Sequence, residues 1–515
     1  MRLTLISHAC WLIETADLTI LTDPVFGDVF YDSMATWCPS RRFNPDALPE
    51  IDAIFLSHPH HDHFAPPTLA GLARRVPMIL CSSDADVVDA CRQVGFETVH
   101  PIKNYQAFKI GQTSLHITPA INSLESEHGL LVTDPDGRVW NAVDSGYKPE
   151  WLPLLRIDGR ELDVHLANFT PVLLHDAISN GNTHYPYEPY ARHLDTARLA
   201  RAKLIVPGAS GVSWLHRGSW LNHYLFPIKH RRFIEDVRGF ENDSRAELCF
   251  PGDVIEILKG EPRVHREARP ELVSTLDPKT FDRLDFNPTH SVPPLREVDA
   301  ETRITVGVEG VNSLRPRLVT VPAAGFASLG ELEQTVDSIL ATVNGRLADS
   351  GQESLKDTLY RWDARMRVMI HFPDGPRYWS CDFSAPSPAF TQGAIAEPNY
   401  FLEFTAIDLH AVERGLIFDQ FIHTGLRCFH TLSRVRKEGI AYPKMPSQFR
   451  REVEAELHHG EVLNPFDAFM QLWRPNRIAW TERLVKLSLE CRERETASTA
   501  GGASTEHSVS VLTAP

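Results

Sequence analysis

Along residues 1–260, short apolar runs alternate with turn residues and with amphipathic stretches. "LTLISHACWLIET" and "LTILTDP" predict two strands of a hairpin turning at Ala16-Asp17. "IDAIFLS" and "VPMILCS" predict buried strands, with a helix over "PPTLAGLARR" between them. "SLHITPA", "GLLVTDPDGRVWNAVDS", "LDVHLANF" and "AKLIVPGAS" continue the strand series, and "ELCFPGDVIEIL" closes it. Strands that come first in hairpins and then alternate with helices predict a layered α/β architecture with mixed sheets.

The pattern changes after residue 260. Residues 261–300 are rich in proline and charge and read as a surface linker. A smaller α+β domain is expected over 301–490. In it "RITVGVEG" and "PRLVTVP" alternate as strands, while Leu329, Leu332, Val336, Ile339, Leu340, Val343 and Leu347 recur at helical spacing. "RMRVMIHFPDGPRYWSCDF" predicts a hairpin about Asp374-Gly375, and "AIDLHAVERGLIFDQFIHTGLRCF" reads as helical. Residues 495–515 are low in complexity and read as a disordered tail.

Composition narrows the class. A chain of 515 residues exceeds one ordinary core, so more than one domain is expected. The net charge of −15 and the lack of a basic run argue against nucleic-acid binding, which rests on neutralising phosphates. No apolar segment reaches membrane-spanning length, and the N-terminus lacks the layout of a signal peptide. The eight cysteines are scattered without CxxC pairs, so reduced thiols in a cytoplasmic protein are expected.

The chemistry concentrates in "FLSHPHHDHF", Phe55–Phe64. His58, His60, Asp62 and His63 directly follow an apolar strand, where a loop can turn several side chains to one point. Imidazoles with a carboxylate suit Zn²⁺, Fe²⁺ or Mn²⁺. The loop "INSLESEH" adds Glu125, Glu127 and His128, and "VWNAVDSGY" places Asp144 at a strand end. A glutamate ligand would favour iron or manganese, whereas His128 would restore a nitrogen-rich shell.

"SHPHHDHF" resembles the HxHxDH signature of the metallo-β-lactamase superfamily, and "SHACWLIETADLTILTDPVFGD" resembles its opening hairpin. The resemblance implies an αββα sandwich over residues 1–260 with a dinuclear metal site. His58 and His60 would serve one metal, Asp62 and His63 the other, and His61 would be a bystander. Asp144 would bridge the metals, and Asp62 and Asp144 would be the catalytic carboxylates. Asp23 would orient a ligand histidine, with His8 either assisting it or structural. The first metal lacks the usual histidine after "LHITPA", which leaves Glu125 slightly preferred over His128, with Glu127 also present. The second lacks the usual histidine beside Pro207, so His216 is expected, with His175 as competitor.

These departures resemble the CMP-N-acetylneuraminate hydroxylase branch, through "HAC", "DP", "SHxHxDH" and the gap from Pro207 to His216. That branch carries a Rieske domain whose Cys/His pairs have no counterpart in this sequence. The implied activity is a non-haem diiron oxygenase that hydroxylates or oxidises a small molecule with O₂, using electrons from an external donor. The alternative is a dinuclear zinc hydrolase of an ester, amide, lactone or phosphodiester. The C-terminal region weakly resembles a sterol-carrier-protein-like domain, implying a substrate cleft or dimerisation, and a homodimer is expected. Trp214 and Trp220, near His216, read as core packing rather than as a substrate entrance.

Overall fold

The computed structural model describes residues 1–501 except 121–126, 144–145, 157, 174–184, 209–210, 280–283, 285, 288–302, 311–313, 323–326, 353–354, 357–358, 361–363, 419–426, 431–468, 471 and 476. Two sheets face each other in the N-terminal half. The first runs in the order Glu261–His265, Val254–Leu258, Arg2–Ser7, Cys10–Glu14, Thr19–Thr22, Ala53–Leu56, Met78–Cys81 and Thr98–Pro101. The second runs Ala107–Ile110, Thr113–Pro119, His128–Thr133, Arg138–Asn141, Val164–Asn168, Leu204–Gly208 and Arg245–Ala246.

Successive side chains of a strand point to opposite faces, so a strand buried on both faces reads as a continuous apolar run. "AIFL" behaves in this way. Phe55 packs between the sheets with Trp11, Leu80, Leu130 and Val164. Ile54 and Leu56 point outward, against Leu69 and Leu72 of helix Pro66–Leu72 and Val87 of helix Ala85–Gln93. Across the sandwich, Leu130 and Val132 point inward. Leu131 and Trp140 point outward, against Tyr190 and Ala197 of helix Tyr187–Ala200 and Phe233 of helix His230–Val237. The layers are therefore αββα, as the sequence implied.

Two expected boundaries move. "LTLISHACWLIET" is two strands, Arg2–Ser7 and Cys10–Glu14, folded back on each other with Leu5 opposite Trp11. The turn holds His8 at φ 38°. Both strands are buried on both faces, so no alternation in the sequence marks the fold-back. The second turn does fall at Ala16-Asp17, where the Thr15 N–H donates to the Leu18 carbonyl. The stretch read as a linker opens with two paired strands, Glu261–His265 on Val254–Leu258 and Val273–Asp277 on Ser40–Phe43.

In the C-terminal half a sheet runs Thr391–Gln392, Gly375–Asp382, Arg365–Phe372, Tyr400–Thr405 and Arg427–His430. Its hairpin closes with Phe372 opposite Gly375. Helix Leu329–Ala348 starts with a Ser328/Glu331 capping box and buries the expected stripe from Leu332 to Leu347, leaving Leu329 exposed. Among the described residues, the helical reading of "AIDLHAVERGLIFDQFIHTGLRCF" holds for Ala406–Glu413, whereas Arg427–His430 is a strand. Gly415 ends the helix at φ 62°, and a Cβ there would lie 2.8 Å from the Trp480 backbone nitrogen. Residues 495–501, read as tail, continue helix Arg477–Gly501, while 502–515 lie outside the described residues. Arg492 of that helix donates to the carbonyls of Ala70 and Val94 on the N-terminal helices.

The two halves share one apolar cluster. Phe30, Tyr31, Trp214 and Trp220 pack in it with Leu332, Phe404, Trp473 and Trp480, so both expected core tryptophans are buried. Across the same seam Arg217 pairs with Asp408 at 2.9 Å, both buried. The seven described cysteines are buried and form no disulfide with one another, and no described helix is long and apolar enough to cross a membrane.

Candidate metal centre

Strand Ala53–Leu56 lies between two parallel neighbours, Thr19–Thr22 and Met78–Cys81. The loop leaves its C-terminal end and turns tightly, with the N–H groups of His63 and Phe64 both donating to the His60 carbonyl. Two prolines then start helix Pro66–Leu72, a position where a missing N–H is harmless. His58 and His63 are fully buried and His60 partly so.

Asp23 organises this loop. It follows the neighbouring strand at φ 39°, and its N–H donates to the Phe55 carbonyl. Its carboxylate accepts the Ser57 N–H and the Ser57 hydroxyl, each at 2.8 Å, and lies 3.0 Å from His63 Nδ1. The Ser57 hydroxyl, its proton directed to Asp23, is 2.8 Å from His58 Nδ1 and accepts from it. Both histidines thereby carry a proton on Nδ1 and present the Nε2 lone pair. A buried carboxylate fixing the tautomer of ligand histidines is a common support of metal sites.

Two groups of donor atoms converge, each within 4.8 Å of one another: His58, His60 and Glu127, and His8, Asp62 and His63. In the first group His58 Nε2 and His60 Nδ1 are 2.9 Å apart. Two nitrogens bonded to one cation at about 2.1 Å and at right angles are separated by roughly that distance. In the second, Asp62 Oδ2 lies 3.3 Å from His8 Nε2 and 3.8 Å from His63 Nε2. Burial alone would raise the Asp62 carboxyl, but the neighbouring imidazoles of His63, of His8, which also hydrogen-bonds it, and of His60 hold it well below the usual carboxylate range. The donor set, mixed imidazole and carboxylate, fits two divalent cations.

His8 is distinct within its group. Its Nδ1 accepts the Gly211 N–H at 3.0 Å, so the neutral ring carries its proton on Nε2, facing Asp62. His8 therefore steadies Asp62 and has no lone pair to offer a metal. Tyr31, which no spacing in the sequence singles out, donates its hydroxyl to Asp62 Oδ1 at 2.9 Å. His61 is packed rather than idle, its ring lying 3.8 Å from Phe418, 4.0 Å from Trp480 and 5.2 Å from Tyr31 between centroids.

Of the "INSLESEH" residues, strand parity separates Glu127 from His128. His128 begins strand His128–Thr133 opposite Pro119, so adjacent Glu127 and His128 point to opposite sides. Glu127 is buried and faces His58 and His60. His128 turns away, with Nδ1 2.9 Å from Asn104 Oδ1, and burial lowers its pKa to about 4. Glu125, Asp144 and His175 lie outside the described residues. His216 belongs to neither donor group. It is exposed at φ 50°, heading the 3-10 helix His216–His223, whose turn buries the next residue, Arg217, against Asp408.

Residues 19–205 match the β-lactamase superfamily domain model. A protein of Mycolicibacterium smegmatis, named as a Rieske 2Fe-2S iron–sulfur protein, is 26% identical over 284 residues, covering 50% of this chain and 53% of its own length. The 4-amino-L-phenylalanyl-(CmlP-peptidyl-carrier-protein) 3-hydroxylase of Streptomyces venezuelae is 28% identical over 153 residues, 27% of this chain and 28% of that protein. A cytidine monophosphate-N-acetylneuraminic acid hydroxylase of Asterias rubens is 34% identical over 87 residues, 15% of this chain and 12% of its own. Among solved structures, a metallo-hydrolase of Ignicoccus hospitalis aligns at a TM-score of 0.34 and 16% identity, over 49% of this chain and 96% of that one. The chain spans about half the length of the first curated relatives it matches. With the αββα layers and the HxHxDH loop at a strand end, residues 19–205 belong to the metallo-β-lactamase superfamily.

Proposed function

We propose that this protein is a dinuclear non-haem iron oxygenase that hydroxylates or oxidises a small molecule, with electrons from a separate donor. The observation that carries this reading is Glu127, a carboxylate standing beside His58 and His60. An oxygen donor in that shell favours iron over zinc. The names of the sequence relatives, two hydroxylases and a Rieske protein, support it. Hydroxylation of R–H by O₂ gives R–OH and water and consumes two electrons and two protons, which is why a donor is required.

Glu127, His58 and His60 would hold one iron, and Asp62 and His63 the other, with Asp144 proposed between them. Ferrous ions would supply the reducing equivalents for O₂ activation. The chain's own part is to hold the ligands still. Asp23 fixes His63 and, through Ser57, His58; Tyr31 and His8 clamp both oxygens of Asp62. The packed C-terminal residues Phe418 and Trp480 close the side of the loop that bears His61, which supports a role for this region in shielding the centre. A dinuclear zinc hydrolase is the second reading, because Asp62 and His63 suit zinc equally well.

Metal content after anaerobic purification and ferrous loading separates them. The oxygenase predicts two irons per chain and a visible chromophore on oxidation. Two zincs per chain with turnover of model esters or phosphodiesters would sink it. Glu127→Ala is expected to lose one of the two metals, whereas His128→Gln should keep both.

A further inference from the structure

We propose that Tyr31 is a positioning residue for Asp62 and that the C-terminal part of the chain sets it through Asp32. Tyr31, Asp32 and Ser33 have φ of 48°, 52° and 67°, three consecutive non-glycine residues in the left-handed region. Such a run persists only where its surroundings hold it. Here the holding groups come from far along the chain. The Phe418 N–H donates to Asp32 Oδ2 at 2.9 Å, and the Trp480 indole N–H donates to Asp32 Oδ1 at 3.3 Å. Asp32 is buried, so these bonds are shielded from water.

The same two residues touch the metal loop directly. Phe418 and Trp480 pack on the His61 ring, and Tyr31 stacks on that ring at 18°. Tyr31 thus receives its backbone conformation from the clamp on Asp32 and passes it to Asp62 through a 2.9 Å hydrogen bond. Asp62 is oriented for a metal only when the C-terminal elements are seated. This inference rests on Asp62 holding a metal and is indifferent to whether the reaction is oxygenation or hydrolysis.

Cobalt(II) titration of the full chain, followed by its visible absorption, tests it. Tyr31→Phe keeps the ring stack and removes only the hydroxyl. The second Co²⁺ should bind about tenfold or more weakly, with the first unchanged. Trp480→Phe should weaken the same site in the same direction. Trp473→Phe is the control, since its indole bonds Glu413 at 3.1 Å and neither residue belongs to a donor group. All three variants keep a buried aromatic ring, and a uniform loss of stability would not split the two affinities. Wild-type affinities in Tyr31→Phe would overturn the positioning role, and a Trp480→Phe no different from Trp473→Phe would overturn the coupling. A wild-type chain that takes up one Co²⁺ only would overturn the dinuclear reading and this proposal with it.

Discussion

Asp23 accepts at three points while fully buried, two from Ser57 and one from His63. Hydrogen bonds to a charged acceptor are roughly twice as strong as neutral ones, so these three bonds pin the metal loop to Asp23. Asp23→Asn places an amide N–H₂ against groups that themselves donate. Metal affinity, measured by chelator competition, is expected to fall by about 10–100-fold while the fold persists. Asp23 could be read from the sequence because it directly follows an apolar strand, as the loop aspartate and histidines do. Glu127 could not be separated from Glu125 or His128. Its direction depends on which face of strand His128–Thr133 meets the loop, and parity counts only once register is known.

At the scale of elements, two junctions tie the C-terminal half to the centre. The left-handed turn Tyr31–Ser33 stores strain of about 1–2 kcal/mol per residue, which the bonds to Asp32 offset. The Arg217–Asp408 pair is buried on both sides and joins the 3-10 helix His216–His223 to the N-terminus of helix Ala406–Glu413. Removing one partner strands a buried charge. Asp408→Ala is therefore expected to destabilise by about 3–5 kcal/mol in denaturant unfolding, with the Arg217→Leu/Asp408→Leu pair recovering much of the loss. Neither junction is visible in the sequence, because residues 31 and 418, or 217 and 408, share no local pattern. The helix Leu329–Ala348 was visible because its stripe and its cap are both local.

For the whole molecule, histidines whose pKa values are lowered contribute to the response to acid. Burial lowers His165 and His230 to about 3, and His193 to about 4. The folded state then resists a proton that the unfolded chain accepts below about pH 6.5. These groups contribute nothing above that pH and destabilise progressively as pH falls from there towards the folded values. For His165 the loss is about 2 kcal/mol at pH 5. Its ring nitrogens have no hydrogen-bond partner among the described residues, and the ring stacks on Trp140 at 4.4 Å. His165→Phe should accordingly show a shallower fall in unfolding midpoint between pH 7 and pH 5 than the wild type. A parallel fall would refute the assignment.

The sequence by itself determined a layered α/β architecture and the HxHxDH loop, and the αββα order followed from the resemblance that loop carries. The first two are local: buried strands are apolar runs, and five of the loop's features lie within His58–His63. Tertiary structure alone decided that "LTLISHACWLIET" folds back, that Glu127 faces His58 and His60, that His8 serves Asp62, and that Tyr31 and Asp32 are held by residues 418 and 480. Each of these depends on strand register, on tautomer set by a distant N–H, or on packing between segments hundreds of residues apart. Short-range hydrophobic pattern records none of the three, because it reports how deeply a residue is buried and not which neighbour it meets.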